Sequence, residues 1–163
     1  MRFQAILLSG VLLAGGSAAE EPVRGPVPEE QRVIIRLMAM NHEKIDRSVE
    51  LIERGYRSRT TSDDPEVAAA LIAHVRYMKT RMDSGGRVRN WDPAFREIAA
   101  YHDRIDTTVR ELANGLEIEA VGKDLEAAAV ARNHARIVSG FAAEGSAAVQ
   151  RTHEPVHGQG RRE

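Results

Sequence analysis

The chain repeats itself. Shifted by 60 residues without a gap, residues 34–85 lie over residues 94–145 with fourteen of 52 positions identical. The identities include Arg36/Arg96, His42/His102, Ile45/Ile105, Asp46/Asp106, Val49/Val109, Gly55/Gly115, Asp64/Asp124, His74/His134, Arg76/Arg136 and Gly85/Gly145. One supersecondary unit must therefore fold twice, and the two copies must bury their apolar faces against each other.

The spacing within the unit predicts a helical hairpin. Ile35, Met38, His42, Ile45, Val49, Ile52 and Tyr56 fall three and four apart, as do Phe95, Ile98, His102, Ile105, Val109, Leu112 and Leu116. Such a stripe lines one seam of a bundle helix, so helices are expected over 29–55 and about 93–115. Val67, Leu71, His74, Met78 and Met82 mark a second helix over 65–83, entered through Asp63 or Asp64 and Pro65. Ala127, Val130, His134, Ile137 or Val138, and Phe141 mark a fourth over about 124–143. Residues 56–62 read as a polar connection, and no segment shows strand alternation. The expected fold is all-α: an up-down-up-down four-helix bundle over 29–145, made of hairpins 29–83 and 93–145.

The flanks carry a different signal. Arg2, an apolar run over 5–14 and the small residues Gly15-Gly16-Ser17-Ala18-Ala19 predict a secretory signal peptide over 1–19. The run is shorter than the ~20 residues of a membrane span, which disfavours an uncleaved anchor. The expectation is a periplasmic or secreted protein with no membrane insertion after cleavage. Residues 20–28 are rich in Pro and Glu and read as an extended lead-in; residues 146–163 read as a mobile polar tail, His153 and His157 included. Trp91 is expected to anchor the link between the hairpins. The formal charge of −1 gives no reason to expect nucleic acid or an anionic membrane as partner. The absence of cysteine excludes disulfides, covalently attached haem, iron–sulfur clusters and thiolate metal sites.

Four histidines, one per expected helix and all within apolar stripes, are the main functional signal. If they meet, eight ring nitrogens need partners, and a shared ligand supplies them. His42, His74, His102 and His134 are thus candidate metal ligands. Asp46 and Asp106, four residues after a histidine in each half, are candidate ligands or supports. Met38 and Met78 are possible further ligands, and thioether with imidazole suits copper. Iron or copper is the expected metal, and metal handling, sensing or electron transfer the expected role. Haem b is a second possibility, with the alanine runs 68–70 and 127–129 either leaving room for a porphyrin or packing closely. A third reading is a ligand-free structural or interaction module whose buried histidines respond to pH. No nucleophile constellation or phosphate loop is present, so enzymatic activity is not indicated.

Met40-Asn41-His42-Glu43-Lys44-Ile45 and Tyr101-His102-Asp103-Arg104-Ile105 resemble the first and third helices of hemerythrin-like cation-binding proteins. The resemblance implies a four-helix bundle of two similar hairpins around a metal centre, over residues 30–145. That family carries His-x-x-x-Glu on its second and fourth helices; Met78 and Val138 stand at those positions.

Overall fold

The structure, a computed structural model, describes residues 25–158. The expected signal peptide and the last five residues of the tail lie outside the described residues. Each half has the order helix, turn, strand, strand, helix. The first half contains α1 (Glu29–Met40), a 3-10 turn at His42–Lys44, β1 (Asp46–Ile52), β2 (Gly55–Thr61) and α2 (Pro65–Asp83). The second contains α3 (Pro93–Ala100), a 3-10 turn at His102–Arg104, β3 (Ile105–Leu112), β4 (Gly115–Gly122) and α4 (Leu125–Glu144). A short α5 (Ser146–Val149) follows.

The repeat is real, but the unit is not a helical hairpin. The expected all-α four-helix bundle is replaced by a four-stranded antiparallel sheet, ordered β1-β2-β4-β3, with helices against it. The helices expected over 29–55 and 93–115 stop at Met40 and Ala100. Their continuations are strands, and the polar connection 56–62 is mostly strand β2. The hemerythrin-like resemblance falls with the bundle.

The reason is that the same residues satisfy two periods. Ile45, Val49 and Ile52 fit a helical seam, yet Arg47, Val49 and Leu51 alternate with Asp46, Ser48 and Glu50 as a strand does. Thr107, Thr108 and Val109 in the second half are β-branched and favour strand. The sequence of β2 hides its alternation because its inward residues Ser58 and Thr60 are polar, although they are buried along with Tyr56, while Arg57 and Arg59 point out.

Strands β2 and β4 pair antiparallel at the centre, with Ser58 opposite Ile118. These two residues are 60 apart, so each is the repeat equivalent of the other. The 60-residue shift of the sequence is therefore an approximate two-fold axis through the middle of the sheet. Gly55 and Gly115 sit at the ends of that pairing. A Cβ on Gly55 would land on the Ala120 carbonyl oxygen, and one on Gly115 on the Thr60 carbonyl oxygen. Close approach of the two halves explains why both positions are glycine.

The inner face runs in rows across all four strands: Leu51-Tyr56-Ala120-Thr107, Val49-Ser58-Ile118-Val109 and Arg47-Thr60-Leu116-Glu111. Tyr56, Ala120 and Ile105 pack against Ala127, Val130, Ala131 and Ala135 of α4. Ala127 and Ala128 are sealed, and a Cβ on Gly122 would strike the Ala128 backbone nitrogen. This alanine run is a close-packing surface. The opposite face of the sheet carries crossed ion pairs, Arg57–Glu119 and Arg59–Glu117, with Arg110 also on Glu117.

The two halves interlock. Arg76 of α2 forms a two-pronged ion pair with Glu111 of β3, both contacts at 2.8 Å. Arg132 of α4 donates to the Gly55 carbonyl at 3.2 Å and to that of Ile52 at 2.5 Å in the β1–β2 turn. Each long helix thus bonds to strands of the other half.

Candidate functional site

The 3-10 turns place His42 and His102. In each half the basic residue two positions later reaches the aspartate that caps the next long helix. Lys44 meets Asp64 at 2.8 Å, and Arg104 meets Asp124 at 2.7 Å. Asp64 and Asp124 accept backbone N–H groups in the first turns of α2 and α4. The repeated His-acid-base-Ile string is accounted for locally: the base fixes a helix start, and Ile105 enters the core.

Each turn histidine then meets the far end of the other half's helix. His42 Nδ1 lies 3.3 Å from the Ala142 carbonyl oxygen, and a Cβ on Gly145 would strike its ring. His102 Nε2 pairs with Asp83 at 3.2 Å, in a surface cleft of about 240 Å³ lined also by Met82, Arg87 and Asp103.

The mid-helix pair, His74 and His134, lies a little over two turns back. His134 precedes Ala142 by eight residues and His74 precedes Asp83 by nine, or about 12–13 Å of helix. The four histidines therefore do not meet. Among the described residues no three His, Asp or Glu side chains gather to hold a metal ion. Asp46 is exposed, and Asp106 lies on the open sheet face, 3.4 Å from Lys123 Nζ. The expected helical spacing between each histidine and its aspartate is lost because each histidine opens a 3-10 turn and each aspartate lies at the start of a strand. Met38 and Met78 are half-buried on the packed helices α1 and α2.

His74 Nδ1 is sealed from solvent with no hydrogen-bond partner among the described residues. Burial lowers the His74 pKa to about 4. His134 packs edge-on against Phe95, with ring centres 5.5 Å apart. Burial, helped by the Arg47 guanidinium, lowers its pKa to about 4 as well. Arg47 itself lies on the inner face, donating to Thr60 Oγ1 at 2.6 Å and Ser139 Oγ at 3.2 Å. Both mid-helix histidines are neutral at pH 7.

A second cluster was not foreseen. The segment after α5, expected to be mobile, is bonded across α3 and α4 as far as it is described. Asp92, fully buried, caps α3 and accepts from His153 Nδ1 at 2.7 Å, His153 N at 3.2 Å and Arg89 at 3.1 Å. Burial alone would raise the Asp92 pKa, but bonds from His153 and Arg89 outweigh it and lower it. Arg89, held in the left-handed region at φ +48°, also donates to the Val149 and Arg151 carbonyls and lies 4.3 Å over the Trp91 ring. Glu97 is buried and accepts two successive backbone N–H groups, Val156 at 2.7 Å and His157 at 2.8 Å. Asn133 donates to the Glu154 carbonyl at 3.0 Å.

Among the described residues the first half has no such covering. Arg32, Leu37 and Ala73 stand where Asp92, Glu97 and Asn133 stand in the second. Breaks in the repeat at buried positions were the available signal. No residue of α1 is buried, and Val33 and Met40 are 51% and 69% exposed. No protein-family model matches the chain, and no curated protein or solved structure is similar to it.

Proposed function

We propose that this chain is an exported interaction module, and that the face formed by α1 and the adjoining part of α2 receives an extended apolar segment of a partner protein. The observation that carries this reading is the contrast between the halves. Positions 92, 94 and 97 are buried under the C-terminal segment; their equivalents Arg32, Ile34 and Leu37 remain exposed or half-exposed. The second half shows what such a surface accommodates, an extended chain lying across two helices. In the first half two of the three polar anchors are replaced by Leu37 and Ala73, and the third by Arg32, so the chemistry favours a largely apolar segment. Export rests on the signal-like residues 1–19.

The double substitution Val33→Glu/Leu37→Glu tests the reading, since Leu37→Glu installs the residue the second half already uses. The native chain should enhance the fluorescence of an anilinonaphthalene sulfonate dye. The variant should lose most of that signal while its unfolding free energy stays within about 0.5 kcal/mol. Sedimentation at micromolar concentration should show a monomer. A variant that unfolds, or a stable dimer dissolved by the same substitutions, would make the face core or self-contact instead.

A further inference from the structure

The groove between α3 and α4 reads the backbone of the segment that lies in it. Glu97 accepts the N–H groups of two neighbouring residues, one on each carboxylate oxygen, at 2.7 and 2.8 Å. Asp92 accepts both the backbone and the ring of His153. Asn133 and Arg89 donate to the carbonyls of Glu154, Arg151 and Val149. The His153 ring stands edge-on to Phe141 at 5.5 Å, and the His157 ring stacks on Tyr101 at 5.7 Å. The two histidines are held by their rings and Arg151 by an ion pair to Glu144 at 2.6 Å; the remaining contacts are to main chain. The Glu97 carboxylate has no other hydrogen-bond partner among the described residues, so both of its oxygens are satisfied by this segment.

We infer that this groove is a peptide-binding site, held closed in cis by residues 150–158. Its ligand class is an extended segment offering two successive backbone N–H groups and, three residues before the first of them, a histidine. A partner segment of that kind competes with the chain's own, which makes the C-terminal segment an autoinhibitory strap. The inference does not rest on the α1 face and survives its failure.

The test uses the full chain. His153→Ala/Val156→Pro removes the ring contact to Asp92 and one donor to Glu97 without touching the groove. Hydrogen exchange should show residues 153–158 protected in the native chain and open in the variant, with α4 unchanged. A capped synthetic peptide of residues 150–158 should then bind the variant saturably, read by the emission of Trp91, the chain's only tryptophan. The native chain should not respond, and adding Glu97→Gln to the variant should weaken binding at least tenfold. Glu97→Gln alone gives a milder check that leaves the strap sequence intact. It should speed exchange at the Val156 and His157 amides at least tenfold. Continued protection of the strap, no peptide binding by the opened variant, or indifference to Glu97→Gln would each overturn the inference.

Discussion

At the scale of single residues, the histidines and glycines carry the clearest consequences. His74 and His134 have native pKa values near 4, against 6.5 for an ordinary histidine. Below about pH 6.5 the unfolded chain takes up protons that the native chain cannot accept until about pH 4. Their contribution is complete above 6.5, is lost as pH falls through that window, and is gone below 4. At pH 5 the loss should be about 2 kcal/mol for each histidine. Urea unfolding at pH 7.5 and pH 5 measures it, and His74→Gln should flatten part of the difference. The glycines make a sharper point. Gly115→Ala places a methyl on the Thr60 carbonyl at φ +155°, and should cost at least about 2 kcal/mol in the same assay. The identities His42/His102, Gly55/Gly115 and Asp64/Asp124 were all legible in the sequence as constrained positions. The reason for the aspartates, helix capping, was legible too; those for the histidines and glycines were not, because each depends on a contact with the other half.

Among the elements, the helices of the second part of each unit were legible and the strands were not. Asp64-Pro65 begins α2 as its capping residues require, and Asp124 caps α4. The strands were obscured because a sheet with one solvated, charged face and a partly polar inner face has little hydrophobic contrast. Tyr56, Ser58 and Thr60 point inward in a row that composition alone reads as loop. Residues 150–158 present the reverse case. A segment of Pro, His and Gly looked mobile, yet its polar groups meet buried carboxylates placed to receive them. Asp92 joins three roles there, capping α3, anchoring His153 and balancing Arg89. Asp92→Ala should therefore cost roughly 2–4 kcal/mol, more than loss of a helix cap alone, with thermal unfolding as the measurement. The binding stripe read as a metal centre came apart at this scale: once the leading helices end at Met40 and Ala100, His42 and His102 turn toward the opposite helices.

For the whole molecule, the duplication is a statement about assembly. β2 and β4 form the centre of one sheet, and α2 and α4 bond across it to strands of the other half. Neither half buries its own inner face alone. A chain cut after Asn90 should show no cooperative unfolding transition by circular dichroism, whereas the complete chain should unfold in a single step. The repeat also exposes what the two halves do differently. The second half is sealed by its own C-terminal segment, while the equivalent surface of the first half, centred on Val33, Ile34 and Leu37, is left to solvent by the described residues.

That difference is tested most directly by photo-crosslinking in the protein's native compartment, with benzoylphenylalanine placed at Val33 and, as a control, at Thr108 on the open face of the sheet. Position 33 should yield an adduct with one other protein, mapped by mass spectrometry to an extended apolar segment. The adduct should be absent from position 108 and abolished by Leu37→Glu. Adducts only between copies of this chain, or equal labelling from both positions, would contradict the proposed function.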